Sequence, residues 1–127
     1  MYFIQYHIVW PVKYRKTIIT REIGSYIKQI MQEIAGGYQW EIETQGMETD
    51  HYHIQICVQP RFAPSTVVEK LKSYSARAVF KRFPMVKNRL WGGEFWANGY
   101  CITTVGKMLN AGQVKHYIED QDITLKL

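Results

Sequence analysis

The sequence predicts an α+β fold of the split βαβ, or ferredoxin-like, type. That is a βαββαβ unit with one antiparallel sheet, two long helices on one face and an extra C-terminal helix. Three observations predict it. Four stretches are rich in β-branched and aromatic residues, and most of them alternate; two longer stretches between them repeat with helical period; a last short helical stretch follows the sixth element. With 127 residues, 46% of them hydrophobic and 21% charged, the chain can build one core but has no room for a second. Residues 1–127 therefore read as a single domain, with 1–105 as the βαββαβ unit and 106–127 as a linker and terminal helix.

Each element has its own reason. Tyr2 to Trp10 alternates as a strand, Pro11 ends it, and Lys13, Tyr14, Arg15 and Lys16 form a basic loop. Thr20 can cap a helix running to about Ala35, with Ile23, Ile27, Ile30 and Ile34 on one face and Gly36 and Gly37 as its stop. Tyr38 to Gln45 places Tyr38, Trp40 and Ile42 on one side and Gln39, Glu41 and Glu43 on the other. Gly46 to Asp50 is short enough for a hairpin into the strand His51 to Val58. After the loop Pro60 to Pro64, Thr66 and Glu69 have capping-box spacing for a helix to about Arg82, with Val68, Leu71, Ser75, Ala78 and Val79 inward. Pro84 follows its end, and Trp91, Gly92 and Gly93 turn the chain into a strand from about Phe95 to Val105. The last helix runs from about Ala111 to Gln121.

Composition excludes several classes. The uncharged run Met1 to Val12 is too short to span a bilayer and lacks the flanks of a signal peptide. Cys57 and Cys101 do not make a disulfide framework, so the expectation is a soluble, cytoplasmic protein. The net charge is +5, yet Arg61 to Arg89 holds eight basic residues against the single acid Glu69. That concentration suggests a polyanion-binding face, with nucleic acid the default partner and a solvated helix face the alternative. Within it Lys70, Tyr74, Arg77 and Lys81 lie on one stripe of the second long helix.

In the strand His51-Tyr52-His53-Ile54-Gln55-Ile56-Cys57-Val58, the apolar set Tyr52, Ile54, Ile56 and Val58 should face the helices. His51, His53, Gln55 and Cys57 then share the opposite face, where two imidazoles can converge on one divalent cation. Spacing alone also fits two ordinary surface histidines. A zinc site of His51, His53 and Cys57 is conceivable in type, but Cys57 stands four residues beyond His53. His7, on the neighbouring first strand, is a third ligand, a partner behind the ligands or a bystander. Tyr117 and Gln121 are four apart on the terminal helix and share a face.

Together these segments resemble a known family. Asp50-His51-Tyr52-His53 resembles the HUH motif, histidine–hydrophobic–histidine, and Tyr117-Ile118-Glu119-Asp120-Gln121 is similar to the tyrosine helix of the single-tyrosine HUH transposases. Tyr6 to Arg15, Leu71 to Arg77 and Leu90 to Trp96 also look like stretches of these proteins, in the same order. The resemblance implies a strand transferase that moves insertion sequences as single-stranded DNA, using Mg²⁺ or Mn²⁺ and a 5′-phosphotyrosine link. By position it implies Tyr117 as nucleophile and His51, His53 and Gln121 as metal ligands. It further implies recognition of DNA hairpins at element ends and a homodimer whose active sites are shared between subunits. Arg61, Lys70, Lys72, Arg77, Lys81 and Arg82 are the candidate DNA contacts. Tyr52 departs from the usual aliphatic middle residue, and its ring should pack under the sheet without moving the histidines.

Two alternatives stand beside this. A non-catalytic RNA-recognition-like module shares the element order, but it needs stacking aromatics on the open face of the first and third strands. An HUH replication initiator or relaxase would use the same chemistry, usually in a larger chain.

Overall fold

The structure, a computed structural model, describes residues 3–13, 19–48, 50–89 and 94–105. The predicted terminal helix with Tyr117 and Gln121, the linker before it, the turn at Trp91 to Gly93 and the loop residues Tyr14 to Lys16 lie outside these residues. In chain order the elements are β1 (Ile4–Pro11), α1 (Arg21–Tyr38), β2 (Glu41–Met47), β3 (His51–Val58), α2 (Pro64–Arg82), α3 (Pro84–Arg89) and β4 (Cys101–Val105). The sheet order is β2-β3-β1-β4 and every pairing is antiparallel. This is the expected βαββαβ topology, with the short α3 added.

The core lies between the sheet and the two long helices. β1 supplies Tyr6, Ile8, Trp10 and the adjoining Val12, β3 supplies Tyr52, Ile54, Ile56 and Val58, and Phe95 and Trp96 join from the segment before β4. α1 buries Ile23, Ile27, Met31 and Ala35. The inward stripe therefore advances in steps of four, and Ile30 and Ile34 stand half-buried beside it rather than on it. Thr20 caps the helix as predicted, its Oγ1 accepting from Ile23 N at 3.2 Å.

Gly36 and Gly37 do not stop α1. The last turn continues to Tyr38, whose ring stacks on Trp40 with centroids 4.6 Å apart, and Phe62 closes on both rings edge-on. Gln39 takes the left-handed cap at φ 62° and donates to Ala35 O and Gly36 O. That aromatic contact outweighs a glycine penalty of roughly 1 kcal/mol each.

α2 begins at Pro64, two residues before the predicted capping box, with Ala63 at the cap and no side-chain cap. Proline at the first helical position has its φ preset and no N–H to leave orphaned, so Thr66 and Glu69 are not needed as a cap. Pro84 likewise opens α3, which buries Val86. β4 is shorter than predicted, because residues 95–100 serve the core instead of the ladder. Trp96 Nε1 donates to Ser75 Oγ at 2.8 Å, and Ser75 Oγ donates to Leu71 O. Gly99 then turns the chain at φ 88°.

Candidate active site

The face of the sheet away from α1 and α2 carries the candidate residues. On β3 the expected set, His51, His53, Gln55 and Cys57, alternates with four residues that are 0% exposed on the helix side. Across the ladder, His53 is opposite Val9 of β1 and Gly46 of β2, and Gln55 is opposite His7 and Thr44. The β2 register carries an irregularity: Ile42 pairs with Ile56 while Thr44 pairs with Gln55, leaving Glu43 as an extra residue. Beyond it Gln45 and Met47 turn toward the helices, and Thr44 and Gly46 join the histidine face.

The two histidines lie side by side, ring centroids 6.1 Å apart and planes at 37°. Asp50 Oδ1 is 2.9 Å from His51 Nδ1. A carboxylate there holds the proton on Nδ1 and makes Nε2 the ring's lone-pair nitrogen, the tautomer that metal-bound imidazoles ordinarily have. The pair therefore fits a divalent cation in donor type and spacing. Among the described residues no group of three or more His, Cys, Asp or Glu side chains comes together for one ion. Two nitrogen donors are thus what this face itself offers.

Tyr52 behaves as expected between them. It is 0% exposed, packs on Trp10 at 5.1 Å and Trp96 at 6.0 Å, and sends its hydroxyl to Gln45 Oε1 at 2.7 Å. Gln45 in turn donates to Lys28 O of α1. A buried phenol needs an acceptor, and the irregular β2 register is what brings Gln45 to it.

Cys57 is not a metal ligand in character. Its thiol lies 3.8 Å from Glu43 Oε1, and burial first, then Glu43 and Glu41, push its pKa up to about 11, away from the thiolate a metal needs. His7 is 3% exposed, and desolvation lowers its pKa to about 4, so it is a neutral imidazole. It faces Gln55 and Thr103 and stands one diagonal step from His53. Gln55 is fully buried, and neither of its amide atoms has a hydrogen-bond partner among the described residues. The face is therefore open around the histidines but closed at its centre, which alternation alone did not foretell. Asp50 and Gln45 were also missed as site supports. The position of Asp50 directly before His51 was the available signal.

The basic residues divide into two groups. Arg61 lies over Phe62 at 4.4 Å, Arg77 and Lys70 over Tyr74 at 5.1 and 6.0 Å, and Arg82 over Phe83 at 5.2 Å, so aromatic rings brace them at the surface. Lys81 is exposed. Lys72 turns inward instead. Its ammonium donates to Ala97 O at 2.6 Å and Gly99 O at 3.0 Å, stapling the segment before β4 to α2, and desolvation lowers its pKa against the opposing pull of Glu94. Of the six expected DNA contacts, it is the one whose charged group donates hydrogen bonds within the fold among the described residues.

Residues 1–121 match the family of IS200-like transposases. The chain belongs to that family. This transposase is 37% identical over 121 residues to the ISDra2 transposase TnpA of Deinococcus radiodurans, covering 95% of this chain and 86% of that protein. The transposase of insertion sequence IS200 from Salmonella typhimurium is 28% identical, with 92% of this chain and 76% of that protein covered. A crystal structure of a transposase candidate from Deinococcus radiodurans superposes with TM-score 0.77 at 32% identity, over 95% of this chain and 92% of that one. The structure of a REP-associated tyrosine transposase bound to a REP hairpin shares the fold, with TM-score 0.62 at 11% identity over 94% and 66% of the chains. No described helix is long and apolar enough to cross a membrane.

Proposed function

We propose that this transposase cleaves and rejoins single-stranded DNA at the ends of its insertion sequence through a 5′-phosphotyrosine link, with Mg²⁺ or Mn²⁺ as cofactor. The observation that carries this is the histidine pair on β3. His51 and His53 stand side by side off the core, and Asp50 fixes one of them in the tautomer whose Nε2 carries the lone pair. Gln121 would complete the ligand set. When bound, the cation would polarise the scissile phosphate and offset charge developing on its oxygens.

The chain's residues then do the rest. The phenol oxygen of Tyr117 bonds to phosphorus as the bond to the 3′ oxygen breaks, and that oxygen leaves as a 3′-hydroxyl after gaining a proton. The 5′-phosphate stays on the tyrosine. A 3′-hydroxyl from another strand reverses the exchange, and a phenol of pKa about 10 leaves far more readily than an alkoxide. Arg61, Lys70, Arg77, Lys81 and Arg82 would hold phosphates of a hairpin, the form of DNA found on the REP-associated transposase of the same fold. The working unit we propose is a homodimer in which Tyr117 of one chain meets the histidines of the other.

The RNA-recognition alternative loses its support. The described residues of β1 and β3 on the histidine face are Gln5, His7, Val9, Pro11, His51, His53, Gln55 and Cys57, with no phenylalanine, tyrosine or tryptophan among them. The decisive experiment incubates the protein with Mg²⁺ and single-stranded oligonucleotides from the ends of its own element. A covalent protein–DNA adduct should form, and Tyr117→Phe should abolish it while hairpin binding persists. An adduct in Tyr117→Phe would move the nucleophile elsewhere.

A further inference from the structure

Gly46 is the β2 residue directly opposite His53. A Cβ built on Gly46 would fall onto the Cε1 and Nε2 atoms of the His53 ring, well inside the distance real atoms keep, and 3.4 Å from its Cδ2. The imidazole therefore lies across bare β2 backbone, with its far nitrogen in the space a side chain would fill. Other glycines differ. Added carbons at Gly36 and Gly37 meet nothing within 4 Å, and at Gly24 only ordinary contacts beginning at 3.5 Å.

We propose that Gly46 is a positioning residue for the metal site, holding the His53 imidazole in its ligating orientation by leaving the opposite position on β2 empty. This rests on the proposed metal role of His51 and His53.

The chemistry decides where the cost of a side chain would fall. The atoms in the way are the end of a side chain with two rotatable bonds, so an added methyl turns the ring aside and leaves the sheet intact. Apart from that contact, alanine in a strand is no worse than glycine and restricts the unfolded chain more. His51 is held separately by Asp50, on the far side of the motif from Gly46. The loss is therefore confined to one of two nitrogen donors. Ligands must be placed to within about 0.5 Å, and weakening a ligand's support typically costs 10- to 100-fold in affinity.

The test measures Mn²⁺ binding to the full-length, DNA-free protein by electron paramagnetic resonance for wild type, Gly46→Ala, His53→Ala and the double variant. Gly46→Ala should bind Mn²⁺ at least tenfold more weakly, and it should add no further loss in the His53→Ala background. Hairpin binding in EDTA should be unchanged. Wild-type Mn²⁺ affinity in Gly46→Ala would overturn the proposal. If Gly46→Ala melts much earlier than wild type, the double variant must recover that loss, because the ring is gone; failure to recover also overturns it. Histidine-ring NMR spectra of the metal-free protein separate this proposal from the metal role itself. Gly46→Ala should move the His53 ring signals and leave those of His51 in place, and unmoved His53 signals overturn the proposal. A wild type that binds no Mn²⁺ overturns the metal role and, with it, any part of Gly46 in serving it.

Discussion

The two faces of β3 follow opposite rules. On one, Tyr52, Ile54, Ile56 and Val58 are wholly buried against the helices, and even the phenol of Tyr52 is satisfied by Gln45. On the other, His51 and His53 are half-exposed, Gln55 is buried with neither amide atom hydrogen-bonded among the described residues, and Cys57 sits beside two acids. The first face is given to packing, and the second carries the nitrogen donors. One eight-residue strand thus separates stability from chemistry by the simple alternation of its side chains.

This contrast can be broken most directly at the histidines. The double change His51→Ala, His53→Ala should remove cleavage altogether while shifting the melting temperature little, since both side chains point away from the core. It also sharpens the proposed dimer. Mixed with Tyr117→Phe as confirmed heterodimers, the two dead variants should regain one working site if the tyrosine acts across the interface. A dead mixture would place Tyr117 and the histidines in one chain.

Ile56→Ala on the opposite face should do the reverse. It should cost about 2–5 kcal/mol of stability by leaving a cavity, read by denaturant titration, with adduct formation per folded molecule preserved. Were cleavage to fall more than the folded fraction, the two faces would not be independent.

A third break lies at His7. Burial lowers its pKa to about 4, against roughly 6.5 in the unfolded chain. As pH falls, the unfolded chain takes the proton first, so the stability held at pH 7 is lost between about pH 6.5 and 4. The loss is at most about 3 kcal/mol. His7→Gln should flatten that part of the pH–stability curve, and an unchanged slope would assign it to other groups.

The smallest expected effects are on α2. Neutralising Lys70, Arg77 or Lys81 should weaken hairpin binding across sequences and reduce the salt slope by about one unit each. Lys72→Ala should instead lower the melting temperature, because its ammonium holds Ala97 and Gly99.

Much of this was legible in the sequence because period-two alternation names a face without knowing a partner. The β3 histidines and the buried set beside them follow from that, while the sheet order follows from the order of strands and helices along the chain. What alternation cannot supply is anything that depends on a partner strand or a distant loop. Lys72 shares a helix with Lys70, yet only the path of residues 94–100 decides that it turns inward. Gly36 and Gly37 look like a stop until Tyr38 finds Trp40 and Phe62. Nothing in the order Ile42-Glu43-Thr44 announces that Glu43 is surplus to the ladder, so the acceptor for Tyr52 and the empty position under His53 stayed hidden. Tyr117 and Gln121 rest on the family resemblance and lie outside the described residues.

The surplus residue in β2 also sets where the gene can tolerate a change of length. With Glu43 bulged out, Gly46 comes to rest opposite His53. Loss of Glu43 would merely smooth the strand, because Thr44 would follow Ile42 in ordinary alternation and every later pairing would survive. Loss of Gly46, with the hairpin anchored by the bond from Glu48 N to His51 O, would draw Gln45 beneath the imidazole and take it away from Tyr52. Two single-codon deletions three positions apart would thus have unlike fates, one nearly silent and the other striking both faces of β3 at once.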